Sequence, residues 1–189
     1  MRTLPTRLDG PLLLAPQVHG DERGFFCETF RAADLAQERG ITEAFVQDNH
    51  SRSRRGTVRG MHFAIGDGSS KLVRCGRGAI FDVLVDLRRG SPTFGGWESY
   101  VLDEEDMHVL YVPVGFAHGF AVTSDVADVL YKQSAYYSAE VERGFDLDDP
   151  ELGIAWPDLG GERVVSQRDR DAPRLADIAG ELPFILSAG

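Results

Sequence analysis

Apolar and polar residues alternate with a period of two along most of the chain. In the run Phe81 to Leu87 every odd-numbered position is apolar, while Asp82 and Asp86 fall on the opposite face. This spacing is typical of a β-strand, and turn residues follow it at positions 89–92. Comparable runs predict nine further short strands, at Leu12–Ala15, Phe25–Phe30, Ala44–Asn49, Thr57–Phe63, Lys71–Cys75, Glu98–Leu102, His108–Val112, Gly119–Val122 and Val126–Ala135.

Helical signals are few. The segment Phe30 to Arg39 has a helical spacing of apolar residues and ends before Gly40, and a second short helix is predicted near Ala172 to Ala179. Some ten short strands separated by Gly and Pro turns favour an antiparallel sandwich or barrel. We therefore predict a mainly β fold, a jelly-roll β-sandwich barrel with a few short helices, and one domain over residues 1–189 because no linker interrupts the chain.

Composition narrows the class of protein. The chain has 20 Lys and Arg against 30 Asp and Glu, a net charge of −10, which argues against a general nucleic-acid or membrane-surface binder. No run approaches the ~18 apolar residues of a membrane span, and no signal-peptide core follows Met1, so we expect a cytoplasmic protein. Cys27 and Cys75 lack a CxxC spacing and are expected to be buried thiols.

The basic residues are distributed unevenly. Between His50 and Gly90 nine basic residues face three acidic ones, a local charge of +6. Arginine pairs bidentately with phosphate oxygens, so a small phosphorylated ligand is favoured. The chain has two lysines, and Lys132 follows Tyr131, so on a strand the two side chains point to opposite faces. If Tyr131 enters a pocket, Lys71 is the candidate catalytic ammonium, with an exposed strand-edge charge as the alternative.

Two histidines are candidates for the chemistry. His118 ends a Pro-x-Gly-x-x-His run that matches the second cupin motif. His62 and Arg59 lie on opposite faces of a regular strand and share one pocket only if a bulge forms, for which Gly60 is the natural place. The His-x-His and Glu of metal-binding cupins are missing after His62, so we expect no metal, and a hydrogen-bonded core histidine is the alternative for His62.

Taken together, these motifs resemble the dTDP-4-dehydrorhamnose 3,5-epimerases, a family of cupin-fold sugar-nucleotide epimerases. The resemblance covers about residues 10–175 and implies an isomerase that needs no cofactor and inverts C3, C5 or both of a dTDP-4-keto-6-deoxyhexose. The 4-keto group acidifies the hydrogens at both carbons. The matching runs are Asp21–Phe26, Phe45–Ser51, Val58–Phe63, Phe81–Asp86, Ser91–Gly95, Pro113–Phe120, Leu130–Lys132, Tyr136–Tyr137, Asp149–Pro157 and Ser166–Asp169.

The resemblance also implies roles for individual residues. His62 aligns with the family's base and Asp169 with its orienting carboxylate, whereas Tyr131 aligns with the proposed acid and Lys71 with the lysine near the keto oxygen. Phe26 and Tyr136 are placed to sandwich the nucleotide base. The positions matching substrate contacts are Arg23, Phe26, Glu28, Gln47, Asn49, Ser51, Arg59, His118, Tyr136, Glu142 and Arg168. Family members are homodimers that exchange strands, and we expect a homodimer here.

One segment departs from the family pattern. After the histidine the family has a Gln and then a Pro-containing loop with a second Gln, whereas Ala64–Ser70 lacks all three residues. Because this loop borders the sugar, the hexose, the nucleotide and the inverted centre stay open. A related nucleotide-sugar ketoisomerase, a single-centre epimerase and a non-catalytic nucleotide-sugar-binding cupin remain as alternatives.

Overall fold

The computed structural model describes residues 1–186, so the last positions of the predicted domain, 187–189, lie outside the described residues. The strands are β1 (Arg2–Leu4), β2 (Leu12–Ala15), β3 (Val18–Asp21), β4 (Gly24–Cys27), β5 (Gln47–Arg54), β6 (Val58–Ala64), β7 (Lys71–Arg77), β8 (Ala79–Asp86), β9 (Trp97–Asp103), β10 (Val109–Val112), β11 (Phe116–Val122), β12 (Val126–Gln133) and β13 (Glu142–Gly144). The helices are α1 (Ala32–Arg39), α2 (Gln167–Arg170) and α3 (Leu175–Ile178), and a 3-10 turn follows at Ala179–Glu181.

Two antiparallel sheets form a sandwich. The larger sheet has the order β1-β2-β10-β7-β12-β5, and the smaller one has the order β13-β6-β11-β8-β9. Strands β3 and β4 pair only with each other and form a separate hairpin. The prediction of a mainly β, jelly-roll type fold with a few short helices is confirmed. No helix within residues 1–186 is both long and apolar enough to span a membrane.

Three layers of apolar residues hold the sheets in place. One cluster, including Ile80, Leu84 and Val129, fills the space between the two sheets. A second packs the C-terminal segment against the outer face of the smaller sheet, and a third packs Leu35 of α1 against the outer face of the larger sheet. Strand β8 is therefore covered on both faces, and Asp82, which shares the inner face with Ile80 and Leu84, is fully buried.

The predicted element boundaries fail where the apolar pattern is weak. The predicted strand Ala44–Asn49 is in fact β5, which starts at Gln47 and runs to Arg54, because its polar residues pair with β12 and point alternately to solvent and to the interior. The predicted strand Phe25–Phe30 ends at Cys27 as part of the hairpin. Strands β1, β3 and β13 and helix α2 were not predicted. Cys75 is buried as expected, whereas Cys27 is only half-buried.

A bulge in β6 brings two functional side chains to the same face. His118 of β11 lies opposite His62, and Phe120 lies opposite Arg59, so three steps along β6 match two steps along β11. Gly60 lies within the extra step, with φ of 132°, a conformation that favours glycine. Because the alternation is broken there, Arg59 and His62 both line the interior, as the bulge prediction requires.

We predict that Gly60→Ala lowers the free energy of unfolding by at least about 3 kcal/mol. A Cβ at this position would lie 2.5 Å from the Gly119 Cα atom, in addition to the unfavourable φ. Gly24→Ala is the matched control, because Gly24 has φ of 127° and no atom within 4 Å of the added Cβ. In the control we expect the free energy of unfolding to fall by only about 1–2 kcal/mol, because the substitution is opposed by the backbone conformation alone. Chemical denaturation measures both, and equal losses would contradict the steric argument.

Candidate active site

The space between the sheets opens into a cavity of about 510 Å³. Its wall combines side chains of both sheets and of the C-terminal segment. The polar members are Ser51, Thr57, Arg59, His62, Lys71, His118, Tyr131, Gln133, Tyr137, Glu142, Ser166, Arg168 and Asp169. The fold thus brings together all four side chains predicted to be catalytic, and it adds five of the predicted substrate contacts, with His118 among them.

His62 is held by a buried carboxylate. Its Nε2 atom lies 2.7 Å from Asp169 Oδ1, and the Asp169 side chain is 5 % exposed. Ser166 caps α2 and accepts a hydrogen bond from the Asp169 backbone N–H, which fixes the position of the carboxylate. Burial opposes ionisation of Asp169, but the hydrogen bond and charge of His62 outweigh it and lower its pKa. With Nε2 engaged, Nδ1 is the nitrogen of His62 that can accept a proton.

A second imidazole–carboxylate pair lies beside the first. His118 Nε2 is 2.8 Å from Asp82 Oδ2, and both side chains are buried. Since His118 is the cross-strand partner of His62, the two imidazoles sit on adjacent strands of the smaller sheet. Asp82 was not predicted as a site residue. The sequence signal was its place on the polar face of β8, but only the register of β8 against β11 pairs it with His118.

Lys71 and Tyr131 face the cavity from the larger sheet. The Lys71 ammonium makes no hydrogen bond or ion pair with residues 1–186, and burial lowers its pKa against the opposing charges of Glu142 and Asp82. Burial also raises the pKa of Tyr131, so its phenol keeps its proton at neutral pH. Lys132 points outward to Asp48, at 2.6 Å, as the strand alternation requires.

Three further polar residues line the cavity near these groups. The Arg59 guanidinium binds Ser53 Oγ at 3.1 Å and has no carboxylate partner among the described residues. Arg168 Nη1 donates to Glu142 Oε2 at 2.9 Å. The Ser51 hydroxyl is buried without a partner in the described part of the chain. The cavity therefore offers a guanidinium and an ammonium that have no direct carboxylate partner among residues 1–186, and both suit an anionic ligand.

Gln47, Asn49 and Tyr136 lie outside the cavity lining. Gln47 Nε2 donates to Asn49 Oδ1, and Asn49 Nδ2 donates to Gln133 Oε1, both at 2.9 Å, so a chain of amides leads from the strand edge to the cavity. Gln133 was not predicted, although it shares a face of β12 with Tyr131. The Tyr136 side chain is exposed next to Tyr137, whose backbone N–H donates to Gln47.

Arg23, Phe26 and Glu28 are not brought to the cavity of their own chain. They lie on or directly after the β3–β4 hairpin, where Arg23 pairs with Asp21 and Glu28 pairs with Arg31. Phe26 is 70 % exposed. Within one chain these predicted substrate contacts form a separate exposed surface.

Metal ligands are not assembled in the described structure. Residues 1–186 contain no group of three or more His, Cys, Asp or Glu side chains arranged to hold an ion. Each cavity histidine instead bonds a carboxylate, through Nε2. The expectation of a metal-free site stays a prediction.

The geometry defines the class of protein. A sandwich of two antiparallel sheets encloses an imidazole supported by a carboxylate, a protonated phenol and a half-buried ammonium. These are the groups of general acid–base catalysis, and the cationic wall selects an anionic substrate. The chain therefore has the structure of a cupin-type enzyme whose site can move protons on a small anionic molecule.

Comparison with known proteins identifies the family. Residues 5–177 match the family model described as dTDP-4-dehydrorhamnose 3,5-epimerase. An enzyme of that name from Pseudomonas aeruginosa is 47 % identical over 91 % of this chain and 96 % of its own length. A dTDP-4-dehydrorhamnose 3-epimerase from Streptomyces niveus is 41 % identical, covering 97 % of this chain and 89 % of its own.

A solved structure agrees with this assignment. The dTDP-6-deoxy-D-glucose-3,5-epimerase of Legionella pneumophila, in complex with dTDP-4-keto-L-rhamnose, superposes with a TM-score of 0.95 at 43 % identity, over 99 % of both chains. The chain belongs to the dTDP-4-dehydrorhamnose 3,5-epimerase family, and it is thereby an isomerase.

We predict that Asp169→Asn makes the free energy of unfolding less dependent on pH under acidic conditions. The unfolded pKa of an aspartate is about 3.9, and that of Asp169 is lower in the folded protein. Its ionised form therefore stabilises the fold fully above about pH 4, and this contribution is lost as the pH falls through the folded pKa. Between about pH 4 and pH 2 the free energy of unfolding should fall less steeply in the variant than in the native protein. If the free energy of unfolding fell equally steeply with pH in both proteins, the ionised Asp169 would not be the stabilising group that we infer.

Proposed function

We propose that this chain epimerises a dTDP-4-keto-6-deoxyhexose at C3, C5 or both, by proton abstraction at His62 and proton return from Tyr131. The observation that carries the proposal is the convergence of His62, Tyr131 and Lys71 on one cavity. The printed activities of the relatives in Pseudomonas aeruginosa and Streptomyces niveus support the substrate class. A single domain working in the cytoplasm is part of the same proposal, in keeping with two free cysteines.

The first step breaks a C–H bond next to the keto group. His62 Nδ1 takes the proton, and Asp169 stabilises the imidazolium through the hydrogen bond on Nε2. The electron pair moves into the carbonyl and places negative charge on its oxygen. The Lys71 ammonium, desolvated and without a competing partner in the described residues, stabilises that charge.

The second step forms a new C–H bond on the opposite face. Tyr131 transfers its phenolic proton to the enolate carbon, and solvent later removes the proton from His62 and restores that of Tyr131. His62 lies on β6 of the smaller sheet and Tyr131 on β12 of the larger one, so a ring held between the sheets meets base and acid from opposite sides. Such an arrangement favours inversion over simple exchange.

The nucleotide part of the substrate requires groups beyond the cavity floor. Arg59 and Ser51, both without ionic partners in the described residues, are proposed to bind the diphosphate, with Arg168 beside them. Gln47 and Asn49 extend this polar surface along β5. His118 and Glu142 complete the sugar end of the wall, and Tyr136 is exposed where it can stack on a base.

A homodimer is proposed to complete the site. The β3–β4 hairpin carries Arg23 and the exposed Phe26, and Glu28 follows it, yet none of these side chains reaches the cavity of its own chain. Hydrophobic side chains exposed on a projecting hairpin are typical of a protein interface. Insertion of the hairpin into a second copy would place Phe26 opposite Tyr136 and close the sugar-nucleotide site.

We expect the purified protein to incorporate deuterium at C3, C5 or both of dTDP-4-keto-6-deoxyglucose in heavy water. His62→Asn should abolish exchange, because it removes the side chain that is proposed to abstract the proton. Tyr131→Phe should retain exchange through His62 but lose inversion by about 100-fold or more, because the acid on the opposite face is missing. NMR of the sugar measures both quantities.

His108→Asn is the control for this experiment, since His108 does not line the cavity. Normal exchange in His62→Asn would contradict the assignment of the base. A moved carbonyl would identify a ketoisomerase instead, and tight binding without exchange would identify a non-catalytic binding protein.

We also predict that two inactive variants complement each other. Arg23→Ala impairs nucleotide binding through the hairpin, and His62→Asn removes the base of the cavity. In a mixed dimer one of the two sites has a native hairpin and a native cavity, so re-equilibrated mixtures should recover about a quarter of native activity. If each cavity were instead completed by the hairpin of its own chain, mixing would restore no activity. That result would refute the exchange of hairpins.

A further inference from the structure

Gln133 is a cavity-lining side chain to which the proposed reaction gives no role. It ends β12, is 9 % exposed and lies two positions after Tyr131 on the same face of the strand. Its Oε1 atom accepts a hydrogen bond from Asn49 Nδ2 at 2.9 Å. Its Nε2 atom bonds none of residues 1–186 and keeps accessible surface. In the described structure this amide therefore uses its acceptor and has its donor available.

The backbone N–H of Tyr137 fixes which end of the Gln133 amide faces the cavity. A backbone N–H can only donate, and this one donates to Gln47 Oε1 at 2.8 Å. Gln47 must then offer Nε2 to Asn49 Oδ1, and Asn49 must offer Nδ2 to Gln133 Oε1, both at 2.9 Å. Rotating any one of these amides by half a turn would place two donors or two acceptors face to face. This amide relay, from Tyr137 N–H through Gln47 and Asn49, holds Gln133 as a hydrogen-bond donor.

The register of the sheet places this donor next to Lys71. Gln133 and Lys71 are direct partners in the pairing of β12 with β7, so their side chains leave the same face with Cβ atoms about 5 Å apart. Both line the cavity. An ammonium has no acceptor, and the acceptor of Gln133 is already used, so the two neighbours can only donate. They suit a carbonyl or enolate oxygen, which only accepts, better than a hydroxyl group, whose own proton needs an acceptor.

We propose that Gln133 is a specificity-determining residue of the sugar site, whose Nε2 group donates a hydrogen bond to the 4-keto oxygen beside Lys71. The identity of that oxygen rests on the proposed epimerase function. Negative charge collects on the oxygen as the C–H bond breaks, and a hydrogen bond to a charged acceptor is stronger than one to a neutral acceptor. Gln133 then stabilises the transition state more than the bound substrate. Gln47 and Asn49 are positioning residues for its amide.

Two substitutions remove the donor in different ways. Gln133→Met has a similar length and carries no polar hydrogen. Gln133→Glu keeps an oxygen for Asn49 to bind but replaces the donor with an acceptor. In both variants we expect kcat for dTDP-4-keto-6-deoxyglucose to fall by about 10-fold or more, with a smaller rise in KM. Gln37→Met, on the exposed side of α1 and outside the cavity lining, is the matched control and should leave both constants unchanged.

Asn49→Asp tests the direction of the amide relay. A carboxylate at position 49 only accepts, so Gln133 would rotate to donate to it and would turn Oε1 toward the keto oxygen. We therefore expect Asn49→Asp to lower kcat in the native background and to change kcat little when it is added to Gln133→Met. Equal fold losses in the two backgrounds would show that Asn49 does not orient Gln133, and they would refute the relay.

A spectroscopic measurement separates this proposal from the epimerase function. The chain has five glutamines, so ¹⁵N labelling of their side chains gives five pairs of amide proton signals, and Gln133→Met assigns one pair. The host is His62→Asn, which should bind the substrate without converting it. The Gln133 protons should move downfield when dTDP-4-keto-6-deoxyglucose binds, because one of them enters a hydrogen bond, and they should stay in place with dTDP alone.

Three results would overturn the proposal. They are native kcat in folded Gln133→Met, unmoved Gln133 protons at saturation with the keto sugar, and an equal shift with dTDP alone. The last two remain decisive if the variants at position 133 do not fold. The spectra need no turnover, so a shift specific to the keto sugar in a protein without epimerase activity would refute the proposed function and leave the donor assignment intact.

Discussion

The 2.7 Å hydrogen bond between His62 Nε2 and Asp169 Oδ1 connects the smaller sheet to the C-terminal segment. His62 lies on β6 in the smaller sheet, and Asp169 lies on α2 in the C-terminal segment, 107 positions further along the chain. That segment covers the outer face of the smaller sheet with an apolar cluster. The packing that buries this face therefore also positions the Asp169 carboxylate, which orients His62. The same contacts thus stabilise the fold and hold the proposed base in place.

The sandwich architecture places the proposed base and the proposed acid on opposite sides of the cavity. A base on one sheet and an acid on the other enclose the ligand from two sides, while the backbone of each sheet keeps its side chain in place. Proton-transfer sites need such fixed geometry, because a shift of about 1 Å is costly to the rate. The bulge at Gly60 contributes to this fixed geometry, since without it Arg59 and His62 would point to opposite faces of β6.

Sequence reasoning reached the parts of this site that follow from local rules. Strand alternation separated Tyr131 from Lys132, and a glycine marked the bulge beside His62. It could not find Asp82, because the contact with His118 depends on the register between β8 and β11. Polar strands such as β5 and β13 carry no apolar period, so their bounds were misplaced or missed.

The charge pattern acquires a more specific meaning in three dimensions. The basic segment between residues 50 and 90 suggested a broad attraction for an anion, but several of its arginines lie outside the cavity and are paired with acids, as Arg52 is with Asp128 and Arg88 with Asp86. Of the nine basic residues, only Arg59 and Lys71 line the cavity. The contribution of this segment to anion binding therefore comes from two side chains, Arg59 and Lys71, and not from the segment as a whole.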